Sequence, residues 1–268
     1  MVPLTLAEVL DSLSVPRGGI LYVQSSTDWL ARAGFDPAQT LATLRDWVRS
    51  SGTLVMPSYP FRVTHLEYLA SRPRYDVRQT PSLVGLIPEL FRRADSVHRS
   101  ADPDFAIAAE GPDAEGIVDT DLGEPDPFGR NSVYERLLTR PATLVGLGVS
   151  LNTNSFIHVI DSRYAAAYPR SPYGELFDVE VIGRDGVPRT VQRRAIAPEF
   201  QRQTKPSAVA AAIGEGTPAF TMRSIDGVMF FRWDLTRWSA WCDGHAREAA
   251  GSGRWPCWLS LLGPEAAA

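Results

Sequence analysis

Four short apolar runs, Gly19–Gln24, Thr53–Met56, Phe105–Ala109 and Ala142–Leu147, are separated by stretches with helical periodicity. Each run is too short for a buried helix and is bounded by turn residues, so each is expected to be a buried strand. Between the first two, Asp36-Pro37 supplies an N-cap and a first-turn proline. Leu41, Leu44, Trp47 and Val48 then recur at core spacing. Thr5 with Glu8 has the form of a capping box. Ser82–Arg93, with a kink at Pro88, and Ser132–Thr139 are also expected to be helices. Strands alternating with helices imply an α/β core with a largely parallel sheet.

The pattern changes after residue 168. Phe177, Val179 and Val181 alternate with Asp178 and Glu180, and Asp185-Gly186 turns the chain into Arg189–Ile196. That reads as a hairpin with one solvated face. A second hairpin, Phe220–Arg223 to Val228–Phe231, turns at Asp226-Gly227, and Asp234–Ala249 reads as an aromatic amphipathic helix. The expectation is one domain, 1–268, with an α/β core over 1–168 and an antiparallel extension with helices over 169–268.

A length of 268 residues, 44% hydrophobic and 22% charged residues suit a globular chain. The net charge of −4 carries no basic footprint for nucleic acid. No apolar run approaches the roughly eighteen residues of a membrane span. The N-terminus reads as a capped helix, not a signal peptide. Cys242 and Cys257 lie among four tryptophans, which fits packing in a reducing cytoplasm, although a bridge between them stays open. Four histidines without metal-ligand spacing argue against zinc. His65 and His98 read as surface or capping residues, and His245 as packed or exposed.

Leu147–Asp161, LGVSLNTNSFIHVID, begins apolar, breaks at Asn152-Thr153-Asn154 and continues as a helix. His158 and Asp161 fall on one face of that helix. A carboxylate there holds an imidazole in one tautomer and stabilises its protonated form, which is a base with its orienting group. A purely structural pair has the same spacing. Ser25-Ser26-Thr27-Asp28 reads equally as a helix N-cap cluster and as an anion-binding turn. Gly146-Leu147-Gly148 lacks the third glycine of a dinucleotide loop. Ser25-Ser26 lacks the glycines of a nucleophile elbow.

Five segments in order resemble the aminoglycoside 3-N-acetyltransferase family: LYVQSSTDWLARAG (21–34), GTLVMPSYP (52–60), YDVRQTPSLVGLIPELFRR (75–93), RSADPDFAIAAEGP (99–112) and FGRNSVYERLLTRPATLVGLGVSLNTNSFIHVID (128–161). The resemblance covers roughly residues 19–165 and thins after about residue 175. It implies a three-layer α/β/α fold. It also implies direct transfer of an acetyl or other short acyl group from coenzyme A to a primary amine, with no acyl-enzyme and no metal. By resemblance His158 is the general base and Asp161 its partner, with Asp102 an alternative carboxylate. Gln24, Ser25, Ser26, Thr80 and Ser82 lie along the donor; Arg92 and Arg93 read first as a solvated helix face and otherwise as partners of its phosphates. Asp76 reads equally as an acceptor-binding carboxylate and as a turn residue, and Tyr59 either lines the acceptor pocket or packs. The chain departs from the family pattern at Gln24 and Asp102, where the family has histidine, at Ala106 for serine, and at Asp161 for glutamate. These departures widen the acceptor from an aminoglycoside to an amino sugar or a biosynthetic intermediate. A thioester or amide hydrolase would use the same His/Asp pair, and a non-catalytic binding protein would keep the fold alone. Aromatic C-terminal surfaces suit a homodimer; no nucleic acid or membrane partner is expected.

Overall fold

The computed structural model describes residues 4–262. A seven-stranded sheet forms its centre, in the order β4-β5-β2-β1-β6-β10-β9. The strands are β1 (Ile20–Ser25), β2 (Thr53–Pro57), β4 (His98–Arg99), β5 (Ile107–Glu110), β6 (Ala142–Leu147), β9 (Phe220–Ile225) and β10 (Val228–Asp234). β1 pairs in parallel with β2 and with β6, and every residue of these three strands is buried. Burial on both faces is why they read as unbroken apolar runs. Antiparallel pairs flank this parallel centre, β2 with β5 on one side and β6 with β10 on the other.

Helices cover both faces. On one lie α1 (Leu6–Ser12), α2 (Thr27–Arg32), α3 (Pro37–Val48) and, beyond α4 (His65–Ala70), α5 (Leu86–Arg92). Leu44, Trp47 and Val48 there pack with Leu21, Leu54 and Met56 of the sheet. On the other face lie α6 (Ala114–Val118), α7 (Val133–Leu138), α8 (Ile157–Tyr164) and α11 (Leu235–Gly251). Tyr22, Val55 and Leu144 join this second core with Tyr134, Phe156 and Trp238. The layers are therefore α/β/α. α9 (Pro198–Gln203) and α10 (Ser207–Ile213) follow a second sheet of three strands, β3 (Arg74–Asp76), β7 (Tyr173–Ile182) and β8 (Pro188–Ile196), in the order β3-β7-β8.

Several local expectations are met by named contacts. Thr5 and Glu8 form the capping box of α1, and Asp36 caps α3 through the N–H groups of Ala38 and Gln39. The helix expected from Ser82 instead starts at Leu86, after Gly85 at φ 134°. The Ser82 N–H is held by Glu89 Oε2 at 2.7 Å, which ties that loop across the first turn. Pro88 therefore falls in the first turn, where its missing N–H has no helical partner to lose. The second hairpin also differs from expectation. It does not stand apart from the α/β core, because β10 pairs with β6 and completes the main sheet.

Gly146 lies opposite Phe231 across that pairing. A Cβ at this position would sit 2.2 Å from the Phe231 ring. The glycine thus has a packing role and no part in a nucleotide loop. Gly146→Ala is expected to cost about 1–3 kcal/mol, since an extra carbon in a tight core forces its neighbours aside. A thermal melt lowered by several degrees checks this; an unchanged melting temperature would refute it.

Candidate active site

The connection after β1 crosses one face of the sheet through α2 and α3, whereas the connection after β6 enters α8 on the other face. Adjacent parallel strands whose connections leave in opposite directions open a crevice at their carboxyl ends. The chain has a cleft of about 370 Å³ there. Gln24 and Ser25 of β1, Pro57 of β2, and Thr153, Ser155 and His158 from the segment after β6 line it. Tyr59, Phe61, Val84, Phe105, Ile196 and Gln201 are among the residues that complete it.

Local sequence explains how His158 arrives at this edge. Ser150 accepts the Asn152 N–H and starts a single turn over Leu151–Thr153. Asn154 Oδ1 then accepts the Phe156 N–H, just ahead of α8. Gln24 clamps this turn to the end of β1, donating to the Thr153 carbonyl at 2.6 Å and accepting from Thr153 Oγ1 at 3.0 Å. The Gln24 amide is therefore spent on positioning the turn.

His158 Nδ1 lies 3.4 Å from Asp161 Oδ2, with the His158 side chain 17% exposed and that of Asp161 2% exposed. The other carboxylate oxygen, Oδ1, accepts from Trp258 Nε1 at 2.8 Å and from the Tyr168 hydroxyl at 3.2 Å. Two donors on Oδ1 fix the carboxylate plane, and Oδ2 has no hydrogen-bond partner of its own. Its one outlet is the imidazole. A carboxylate on Nδ1 favours the proton at that nitrogen and leaves Nε2 as the atom that takes a proton from the cleft. Phe128 packs against the ring, with centroids 5.2 Å apart.

The other expected site residues separate into those at the cleft and those away from it. Ser25 lines the cleft, and its buried hydroxyl has no partner. Tyr59 lines it too, its hydroxyl joined to those of Tyr134 and Ser155. Burial raises the Tyr59 pKa, so it remains a phenol. Ser26 opens α2 without a side-chain cap, and its N–H goes to the Leu147 carbonyl.

Asp76 and Thr80 line a different cavity, with Arg74, Arg78 and Gln79. Asp76 Oδ1 accepts the N–H groups of Arg78 and Gln79, and Thr80 Oγ1 accepts the Asp76 N–H. These are turn bonds, so Asp76 is not a wall of the His158 cleft. Ser82 is buried, its hydroxyl lacking a partner, and it neither caps α5 nor lines the cleft. Arg92 is bound to Glu89, and Arg93 is largely exposed and shares the same carboxylate.

Asp102 does not supply the carboxylate of His158. Its Oδ1 accepts the N–H groups of Asp104 and Phe105, and Oδ2 faces Arg193 at 3.9 Å. Burial, then the neighbouring Asp104, raises its pKa. The larger departure from expectation is His65, which is fully buried rather than a surface cap. Its Nε2 lies 2.9 Å from Asp104 Oδ2, while Nδ1 accepts the Ile196 N–H at 3.1 Å. A ring nitrogen that accepts an N–H carries no proton, so His65 is neutral with hydrogen on Nε2. Its backbone N–H donates to Gln201 Oε1 at 3.0 Å. His65 thus anchors Ile196 and Gln201, which line the cleft from the second half of the chain. No local signal marks it, because its partners lie 39 and 131 residues away.

Burial pushes the His65 pKa down to about 3. The unfolded chain takes up this proton below about pH 6.5, and the folded chain does not. This group's contribution is therefore present above about pH 6.5 and is lost as the pH falls toward 3, by about 1.4 kcal/mol per unit. Urea unfolding between pH 7 and pH 4.5 reads the slope. A His65→Gln variant is expected to flatten it by that amount, and an equal slope in both proteins would contradict the assignment.

Among the described residues, no group of three or more His, Cys, Asp or Glu side chains is placed to hold a metal ion. No helix among them is long and apolar enough to cross a membrane. Cys242 and Cys257 are unbridged. Trp238 and Trp258 are buried within the chain, whereas Trp241 and Trp255 are only partly buried.

The family model described as aminoglycoside 3-N-acetyltransferase matches residues 22–221. The chain belongs to that family. Aminoglycoside N(3)-acetyltransferase IV from Salmonella sp is 33% identical over 163 residues, covering 61% of this chain and 58% of the relative. The aminoglycoside N(3')-acetyltransferase-like protein YokD of Bacillus subtilis is 25% identical over 180 residues, covering 59% of this chain and 64% of the relative. The matched stretch thus spans under two thirds of these two relatives. Among solved structures, apoenzyme AAC(3)-IVa superposes with a TM-score of 0.71 at 22% identity, covering 96% of this chain and 95% of that one. AAC-IIIb in a binary complex with CoASH gives 0.67 at 19% identity, covering 91% and 95%. At such identities these structures establish the shared fold.

Proposed function

We propose that the chain is a coenzyme A-dependent N-acyltransferase that moves an acetyl or other short acyl group to the primary amine of an aminoglycoside, an amino sugar or a biosynthetic intermediate. The observation that carries this reading is His158 in the cleft wall, its Nδ1 directed at a buried carboxylate whose other oxygen is fixed by Trp258 and Tyr168. Family membership supports the reaction class. So do relatives crystallised with CoASH and with apramycin.

An amine in neutral water is mostly protonated, so the cleft selects the free base. Its nitrogen lone pair attacks the thioester carbonyl, the C–N bond forms and the C–S bond breaks. His158 Nε2 takes the proton that the nitrogen must lose and returns it to the departing sulfur, so coenzyme A leaves as the thiol. Base assistance of this kind contributes about 10²–10⁴-fold. The unpartnered Ser25 hydroxyl at the cleft is a donor for the carbonyl oxygen as charge develops on it. Ser26 adjoins it at the start of α2, with its N–H already given to the Leu147 carbonyl. Thr80 and Ser82 stand outside the cleft and enter only where the donor's arm extends past Val84.

Two unbridged thiols accord with a cytoplasmic setting. A homodimer would need a surface other than the buried Trp238 and Trp258.

Free-thiol release from acetyl-coenzyme A across a panel of amines and amino sugars tests the proposal. Release that depends on an added amine, with one acetyl gained by the amine, is expected. Release at the same rate without amine would make the protein a thioester hydrolase and overturn the proposal.

A further inference from the structure

We infer that the acceptor is a monoamine with an uncharged body, carrying one apolar or aromatic face and hydroxyl or carbonyl groups, and not a polycation. This rests on the acyl-transfer reading of His158. Each amine that does not react stays an ammonium at neutral pH. Taking an ammonium out of water without a carboxylate partner costs several kcal/mol. A polyamine cleft therefore needs acidic walls.

This cleft has aromatic and aliphatic walls, including Tyr59, Phe61, Val84, Phe105 and Ile196, and among the described residues no carboxylate lines it. The carboxylates packed behind those walls already have partners. Asp161 accepts from Trp258 and Tyr168 through Oδ1, and its Oδ2 faces His158 at 3.4 Å. Asp104 serves His65 and faces Arg193. Asp102 accepts two backbone N–H groups and also faces Arg193. Farther out, Asp126 pairs with Arg194 and Glu199 with Arg170.

The polar groups that do reach the cleft are neutral. The Ser25 hydroxyl, the donor to the thioester carbonyl, is buried and uncharged. Gln201 is more specific. Its Oε1 is held by the His65 N–H, which turns the amide so that its nitrogen is the end left to donate. Gln201 lines the cleft, and an amide donor there attracts an oxygen and repels an ammonium. Neutral donors against an aromatic wall thus select a neutral body that carries the single reacting amine to His158.

The experiment compares the nitrophenyl glycoside of glucosamine, a monoamine with an aromatic face, with apramycin, which bears several amines. Both kcat/KM from thiol release and calorimetric Kd with coenzyme A present are measured. The wild-type protein is expected to favour the monoamine at least about tenfold in both readouts. Gln201→Glu, which turns the donor into a carboxylate, is expected to move the ratio at least about tenfold toward apramycin, as a close charge pair does. Equal or better use of apramycin by the wild type, or a ratio that Gln201→Glu leaves in place, overturns the inference. If neither amine releases thiol, the panel of amines decides the acyl-transfer reading separately, and the ranking of the two Kd values still decides which body the cleft accepts.

Discussion

His158→Ala is expected to lower amine-dependent thiol release by about 10²-fold or more while the affinity for the acyl donor stays near its wild-type value. The variant removes the one ring whose Nδ1 faces Asp161 and which also lines the cleft. It leaves the donor edge at Ser25 and the Gln24 clamp on Thr153 in place. The ring is partly exposed, so its loss enlarges the cleft instead of opening a sealed cavity, and the fold is expected to survive. Steady-state kinetics with a calorimetric donor Kd separate the two effects. Wild-type turnover in this variant would remove His158 from the proton transfer. A matching loss of donor affinity would make it a binding residue.

Asp161→Asn is expected to cost about 10²-fold or more in kcat with little change in thermal stability. The reason lies in which end of the new amide faces which neighbour. Trp258 Nε1 and the Tyr168 hydroxyl both donate to Oδ1, so the amide oxygen must take that place. The amide nitrogen then faces His158 Nδ1 and donates to it. That holds the imidazole proton on Nε2, where it blocks acceptance of a proton from the amine. The packing stays satisfied while the tautomer is reversed. Turnover within about threefold of wild type would mean that the carboxylate does not set the His158 tautomer. A kcat loss accompanied by collapse of the thermal melt would mean that Asp161 is chiefly structural.

Much of the fold is legible because the determining signals are local. The parallel centre reads as unbroken apolar runs, α3 carries its own Asp36-Pro37 start, and the turn before α8 announces itself at Asn152-Thr153-Asn154. His158 and Asp161 share a helix face by spacing alone. What stays hidden depends on distant partners. Alternation marks β9 and β10 as a hairpin, but nothing local says that β10 will add to β6. His65 sits just after the capping Thr64, as a surface residue would, yet Phe61, Phe105, Asp104 and Ile196 enclose it. Trp258 reads as one aromatic among several and proves to hold Asp161 in place from 97 residues away. Thr80-Pro81-Ser82 imitates a helix start, while the Ser82 N–H is claimed by Glu89 and the helix waits for Gly85. Asp76 has the charge suited to an amine, but its carboxylate closes its own turn.

Restoring the missing base from solution shows whether His158 is the proton acceptor. A His158→Gly enzyme, saturated with acetyl-coenzyme A and an accepted amine, is titrated with imidazole while thiol release is followed. A slow enzyme is expected, whose rate climbs with imidazole and saturates as the vacated space fills. A variant that matches the wild-type rate without imidazole and ignores its addition would remove His158 from the proton transfer.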